Sequence, residues 1–538
     1  MGGTGDDRGY FVHLDKDNNM YLTGYFSSAD MNFNLTGNGS NDIHSSNGDA
    51  DIFITKINAN GSYAWTRTMG DDTARDVGLW LDSDSQGRIY LTGYFGFNGV
   101  DPAVVEFNTT GSGPSDVKTS HGHGDAYITS YSSDGVYRYT RSYGSINADS
   151  SYGMALDNSD NLYITGSFMD NDVDFNQSGS GPADLRSSAG CSDFYLTKYN
   201  SDGSYAWTYT MGGTGCDYAY GMQIDNAGNI YIVGYFASSD LDFNGSESGS
   251  PDLRSSVGSG DIYLTKYTNT GSYAWTRTMG GINFDWGRNL ALDNAGHIII
   301  TGQFASPNVN FNTTGSGAPD YKSSSATDIF TTKFTTAGGY VWTKTIGNTG
   351  LDFGMGIASD QDSSIYITGQ FQGTDTNFNK DGSGPSDLRS SNGLGDAFMT
   401  KYTDGDDSGW CSVPPTLTPT PTPRPTSTPR RPTATPTPAC VIEMDGQCIN
   451  ELEIINVRTT VDGNTASICW ETNVPSSSYL NYSPLGGDME LTTPLIQGFS
   501  VFCEQLEDLI YDQEYSFRIN AEADTLTAIH DDTFRTGI

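Results

Sequence analysis

Six basic side chains recur at one place in this sequence, each two residues after an aspartate. They are His44, Lys118, Arg186, Arg254, Lys322 and Arg389, behind Asp42, Asp116, Asp184, Asp252, Asp320 and Asp387. Brought to one face, six cations would hold the carboxylates or sulfates of an acidic polysaccharide through charge-assisted hydrogen bonds. Because every basic residue travels with its own acid, the spacing also describes a repeated ion-pair clamp, and that structural reading carries more weight. A second set is acidic: Asp15-Lys-Asp17, Asp82-Ser-Asp84, and turns at Asp157, Asp225, Asp293 and Asp360. Alternating oxygens in a tight loop suit calcium, a hard cation wanting 6–8 oxygen ligands. The pattern stops short of a full calcium loop, and Asx turns explain it without metal. No cofactor is required by any of these residues.

Other constellations are weaker. His121 and His123 form a local pair in a glycine-rich loop found once in the chain. Asp51, Asp125, Asp193, Asp261, Asp328 and Asp396 recur at one position and read as architecture, as does the series Trp65, Trp207, Trp275, Trp342 and Trp410. No Ser/His/Asp order, Cys/His pair or zinc spacing appears. A polysaccharide hydrolase or lyase using paired acids remains a rival reading, since aspartate is abundant and carboxylate separation is invisible in a sequence.

These residues ride on a repeat. A strand-like phrase ending in Gly-x-Phe centres on Gly24, Gly93, Gly166, Gly234, Gly302 and Gly369, at spacings of 69, 73, 68, 68 and 67 residues. A fixed period means stacked units that cannot bury their faces alone. In the fourth copy, strands are expected at 221–225, 230–236, 261–267 and 273–279, from alternation and aromatic or β-branched enrichment. Asn60-Gly61, Asp134-Gly135, Asp202-Gly203 and Thr270-Gly271 supply hairpin turns. Four antiparallel strands per unit, repeated radially, describe a β-propeller blade. The long loops between second and third strands then leave one face, the natural place for a ligand.

Net charge is −38 over 538 residues, which argues against nucleic acid or an anionic membrane surface as partner. No apolar run approaches the ~20 residues of a membrane helix, so membrane insertion is not expected. The phrases Leu-Asp-Asn-Ala-Gly, Tyr-x-Thr-Gly, Phe-Asn and Asp-Ala/Ile-Phe/Tyr-x-Thr-Lys resemble the SBBP (seven-bladed β-propeller) repeats of bacterial and archaeal surface proteins. The resemblance covers residues 1–412 and implies an all-β propeller of six visible blades. Met1-Gly-Gly-Thr-Gly matches Met211-Gly-Gly-Thr-Gly, so Met1 reads as an internal repeat methionine. A seventh blade, and any export signal, would lie upstream.

Residues 413–439 hold ten prolines among many threonines, a polyproline-like spacer open to O-glycosylation. Residues 440–538 contain Ile468-Cys-Trp470 and a Leu509…Tyr515 spacing. They resemble a fibronectin type III module of the kind found ahead of the catalytic domain in purple acid phosphatases, and imply a β-sandwich. In that resemblance Cys469 and Cys503 lie on neighbouring strands and would form a disulfide. Cys440 with Cys448, and Cys191 with Cys216 at adjacent blades, are further candidate pairs. Seven cysteines leave one unmatched and the pairing open. Asn34, Asn108, Asn176, Asn244 and Asn312 stand in glycosylation sequons. The expectation is a secreted or cell-surface, non-enzymatic binding or adhesion protein. Its propeller face would recognise a glycan or an extracellular protein, with a purely structural envelope role as a further alternative and the oligomeric state open.

Overall fold

The computed structural model describes residues 2–34, 36, 40–97, 102–169, 171–245, 249–380, 386–393 and 395–402 of the first unit. Of the second it describes the strands lying between 442 and 535, with side-chain surroundings at Val457, Ile468 and Tyr515. The chain divides into two compact units, Met1–Pro414 and Pro415–Ile538. Every described element is a β-strand, and among the described residues no helix is long and apolar enough to cross a membrane.

The first unit is a six-bladed β-propeller whose blades are antiparallel meanders in strand order 1-2-3-4. Blade 4 is representative: Asp217–Ile224, Ile230–Phe236, Asp261–Tyr267 and Tyr273–Met279. Blade 6 shows three strands among the described residues, Phe353–Ser359, Ile365–Phe371 and Asp396–Tyr402. The long loop after each second strand is not structureless: it folds into a short two-stranded ribbon, such as Leu241–Asp242 with Leu253–Arg254. The third-to-fourth turns place Gly61, Gly135, Gly203 and Gly271 at φ 80°, 74°, 85° and 83°, the left-handed conformation a tight hairpin demands.

Each first strand carries a β-bulge. In blade 4 Ala219 pairs with Gly234 and Gly221 with Val233, leaving Tyr220 extra. The same slip leaves Tyr10, Leu79, Tyr152, Arg288 and Met355 extra in the other blades. The bulge explains the most legible residue of the repeat. A Cβ on Gly234 would lie 1.9 Å from the Tyr218 carbonyl oxygen, so only glycine fits opposite the kinked strand. It also starts the strand at Asp217, four residues before the expected 221, because the doubled residue breaks the alternation.

Blades join through apolar cores and a recurrent staple. Between blades 4 and 5, Tyr231, Val233, Ile262 and Leu264 pack on Leu290, Ile298 and Ile300. At the staple, the N–H of the aspartate opening a first strand donates to the carbonyl before the previous blade's third strand. The pairs are Asp76 to Ala50 (2.8 Å), Asp149 to Gly124 (2.9 Å), Asp217 to Ser192 (2.7 Å), Asp285 to Gly260 (2.9 Å) and Asp352 to Thr327 (2.9 Å). A disulfide between Cys191 and Cys216 lies beside the Ser192–Asp217 staple and ties blade 3 to blade 4.

The two end blades differ from the inner four. First strand packs on first strand from blade 1 through blade 6, yet blades 6 and 1 do not pack on each other this way among the described residues. Val12 in blade 1 is 55% exposed, whereas its counterparts Leu81, Met154, Met222 and Leu290 are at 1%, 1%, 0% and 1%. Met399 in blade 6 is 74% exposed, whereas Ile54, Ile128, Leu196 and Leu264 are at 0%. Among the described residues the six blades form an arc whose outer edges, at Val12 and Met399, are open and apolar.

In the second unit, one long strand, Thr465–Pro484, organises a six-stranded antiparallel sheet. Its first part pairs with Ile454–Asp462 and Ile496–Leu506, its last with Glu514–Ala523. Cys469 stands opposite Cys503 in that register. Ile468 and Tyr515 are buried. Cys440 and the spacer 413–439 lie outside the described residues, as do Trp410 and Cys411.

Candidate functional site

The bulged residues define the part of the propeller in which the blades differ. Each stands on a first strand near the end from which the long loops leave. Three consecutive blades place aromatic or cationic side chains there: Tyr152, Tyr220 and Arg288. Flanking positions add Tyr218, Tyr235, Phe284 and Trp286. Tyr152 meets Tyr220 with ring centroids 4.8 Å apart, and Tyr220 meets Trp286 at 5.1 Å. Tyr235 links Tyr218 (5.1 Å) to Phe284 (4.6 Å). The Arg288 guanidinium lies 3.1 Å from the Trp286 ring centroid and 5.7 Å from that of Tyr220. Blades 1 and 2 continue the belt with Tyr10, Tyr25 and Tyr94, and Arg75 lies over Tyr25 at 5.3 Å. Side chains from so many blades can meet only near the axis, so this is an aromatic mouth on the long-loop face.

Its electrostatics follow from partial burial. Desolvation raises the Tyr94, Tyr220 and Tyr235 phenols above their usual range, Tyr220 strongly, so they are neutral donors at physiological pH. Burial lowers Arg288 to about 10, which leaves it charged. Arg8 and Arg75 pair with Asp6 and Asp49. Among the described residues Arg288 pairs with no carboxylate, and its Nε donates to the Gln303 amide oxygen at 3.3 Å. Partly exposed ring faces beside a cation suit a ligand with a flat apolar face and an acceptor group.

The six basic residues are built into clamps. Five ion-pair with the aspartate two residues before them, Lys118–Asp116 at 2.8 Å, Arg186–Asp184 at 2.9 Å, Arg254–Asp252 at 2.9 Å, Lys322–Asp320 at 3.4 Å and Arg389–Asp387 at 2.8 Å, and His44 Nε2 lies 3.1 Å from the Asp42 carboxylate. In five blades a fourth-strand tyrosine donates to the same aspartate: Tyr63, Tyr137, Tyr205, Tyr273 and Tyr340. The tyrosine–aspartate bonds therefore fasten ribbon to blade, and the basic side chains brace those aspartates.

The acidic turns are Asx turns. Asp15 Oδ1 accepts the N–H groups of Asp17 and Asn19, both at 2.9 Å, and Asp17 pairs with Lys16. Asp84 accepts from Gln86 and Arg88 N–H, and Asp82 from Ser83 and Leu156. Backbone N–H groups and the side chains of Lys16, Asn19, Tyr21, Arg88 and Tyr90 donate to these carboxylate oxygens. No group of three or more His, Cys, Asp or Glu side chains surrounds one point among the described residues. His121 Nδ1 lies 2.7 Å from Asp125, and the His123 N–H donates to the Ile146 carbonyl. The sequon asparagines are also structural. Asn108 Nδ2 donates to the Ser112 and Pro114 carbonyls at 2.9 and 2.7 Å, Asn312 repeats the pattern, and neither amide is free for a glycan.

A cavity of about 760 Å³ opens between blades 1 and 2, lined by Asp42, His44, Asp51, Arg67, Glu106 and Thr109 among others. A second, of about 570 Å³, lies between blades 2 and 3 beside His121, Gly144 and Gln177.

No family model matches the chain. A stretch of 253 residues, 44% of the chain, is 24% identical to an uncharacterized WD repeat-containing protein of Acanthamoeba polyphaga mimivirus. That match spans only 18% of the viral protein's length. Among solved structures, a fungal alcohol oxidase of the AA5 family in complex with copper aligns over 100% of both chains at 11% identity. Its TM-score of 0.28 is too low to bear on fold or activity.

Proposed function

We propose that this chain is a non-enzymatic binding or adhesion protein of the cell exterior, and that the aromatic mouth of its propeller receives a glycan or protein partner. The observation carrying this reading is the break in symmetry. Clamps, staples, bulges and glycines repeat blade after blade because they build the blade. The residues at the mouth change from Tyr152 to Tyr220 to Arg288, and large aromatics gather over blades 3 to 5. Partly exposed aromatic clusters with an arginine are what binding hot spots are made of. A WD-repeat relative is consistent with a partner-binding scaffold. The Cys191–Cys216 disulfide favours an oxidising compartment, and the Pro/Thr spacer suits an exposed stalk carrying a fibronectin-like module.

The test uses the purified 538-residue protein on arrays of polysaccharides and extracellular proteins, with released reducing ends assayed in the same wells. Saturable binding without product, lost at least tenfold in Trp286→Ala and Arg288→Ala, supports the reading. Product release would establish a hydrolase or lyase, and a folded protein silent on every surface would favour an envelope component.

A further inference from the structure

The two cavities between blades are one wedge, seen at consecutive junctions. Its walls are the end of a fourth strand on one blade and the ribbon of the next. Thr68, Gly70, Glu106 and Thr109 line it between blades 1 and 2, and their counterparts Ser142, Gly144, Asp174 and Gln177 line it between blades 2 and 3. Asn47 in the first wedge corresponds to His121 in the second, each four residues before the aspartate that opens a third strand, Asp51 or Asp125. Thr109, Gln177 and Lys380 likewise share one position, directly after the Phe-Asn phrase of the ribbon.

At two junctions the chain lays a basic side chain on that aspartate. Between blades 5 and 6 the Lys380 ammonium lies 2.5 Å from Asp328 Oδ2, and between blades 2 and 3 His121 Nδ1 lies 2.7 Å from Asp125 Oδ2. Oδ1 of each packs beside the glycine after a fourth strand: a Cβ on Gly347 or Gly144 would lie 2.3 or 2.7 Å from it. Asp51 is turned the same way, its Oδ1 2.3 Å from a Cβ on Gly70, so Oδ2 is again the oxygen left for a cation. Asp51 is 2% exposed, and its two oxygens share one N–H donor, that of Asn47, at 3.3 Å each. The basic residues on the lining are engaged elsewhere: Arg67 donates to the Gly135 and Thr66 carbonyls, and His44 lies beside Asp42. With Asn47 and Thr109 in the two basic positions, the wedge opens to about 760 Å³ and Asp51 forms part of its wall. Asp125, beneath His121, forms no part of the wall of the smaller cavity.

We infer that the cavity between blades 1 and 2 binds the ammonium group of a small organic amine, which takes at Asp51 Oδ2 the place that the Lys380 ammonium fills at Asp328 Oδ2. A buried carboxylate without a counter-charge bears a desolvation cost, and an entering ammonium offsets it through charge-assisted hydrogen bonds. Asp42 and Glu106 on the walls add negative field, and the Asn47 and Thr109 side chains can bond hydroxyl groups on the body of the ligand, such as those of an amino sugar. The cavity shares no residue with the aromatic mouth, so this site stands or falls independently of the function proposed for the mouth.

The test titrates the intact protein with glucosamine, cadaverine and N-acetylglucosamine in chelator, and with Ca²⁺ in its absence, read by calorimetry and thermal melts. One saturable amine site and a rise in Tm on binding are expected. N-acetylglucosamine, which keeps the sugar and loses the charge, should bind about tenfold or more weakly than glucosamine. Tighter binding of glucosamine than of cadaverine identifies an amino sugar as the source of the ammonium, and the reverse order an alkyl amine. Asp51→Asn should abolish the site. Thr109→Lys, which copies Lys380, should abolish it too while raising the Tm of the amine-free protein, a gain that misfolding cannot imitate. The assignment fails if neither amine binds, if N-acetylglucosamine binds as well as glucosamine, or if Thr109→Lys leaves amine binding intact. It fails equally if Ca²⁺ gives a saturable signal that Asp51→Asn removes, which would make the cavity a metal site.

Discussion

The open edges of the arc predict that chemically similar truncations will have very different consequences in different blades. Leu81 is 1% exposed in a core with Ile52, Ile54, Leu91 and Phe95, so Leu81→Ala removes buried volume and should destabilise by about 2–5 kcal/mol. Val12 holds the same position in blade 1 but is 55% exposed, so Val12→Ala should cost about 0.5 kcal/mol. The other edge offers an independent pair: Met399→Ala should be close to neutral, whereas Leu264→Ala should match Leu81→Ala. Melts of the four variants measure the ranking, at roughly 2 °C or more per kcal/mol for a domain of this order. Thiol labelling checks it without reference to stability. Cysteine at position 12 should react at the rate of a free thiol, and cysteine at position 81 only through rare opening, slower by about three orders of magnitude or more. If Val12→Ala proves as damaging as Leu81→Ala, or a thiol at 12 is protected, the arc is covered in solution and the open-edge reading is wrong.

Three further outcomes are expected. Cys191→Ser should lower stability by about 3 kcal/mol, the loop entropy of a bridge spanning 25 residues, and a reductant should lower the Tm of the parent but not of the variant. Burial raises Asp76 and Asp82 to about 8 and about 7, above the ordinary 3.8. A raised carboxyl penalises the charged fold, so stability is lost as pH rises from about 4 through 7–8. Between pH 8.5 and 6, acidification should therefore raise Tm in chelator, and Asp76→Asn with Asp82→Asn should flatten the slope. Gly234→Ala should destabilise by about 3 kcal/mol or more in urea titrations, because its Cβ would meet backbone rather than a movable side chain.

Much of the blade was legible in the residues. In blade 4 the second, third and fourth strands occupy the positions that alternation gives them, and Asn60-Gly61 and its counterparts make the hairpins. The first strand was misplaced because a bulge puts two residues opposite one, and a period of two cannot represent that. The ribbons were missed since strands of two residues leave no periodic signal. Asp193 was visible as a repeated residue, but its partner Asp217 belongs to the next blade, and only the staple brings them together. The aromatic mouth was hidden for the same reason: Tyr152, Tyr220 and Arg288 lie more than 60 residues apart in sequence, and the bulges bring them together.

The disulfide has a mechanical consequence. In a chain of units that touch only their neighbours, loss of structure spreads from an exposed end, one unit at a time. Among the described residues this arc has two such edges, and most of its joints are held by a peptide hydrogen bond and an apolar contact. The joint between blades 3 and 4, midway along the series, is also bonded covalently. Unravelling from either side, whether by a protease, shear or heat, would run inward and stall there. Blades 3 and 4 should be the last to separate, leaving Tyr152 and Tyr220 still in register after both flanks have gone.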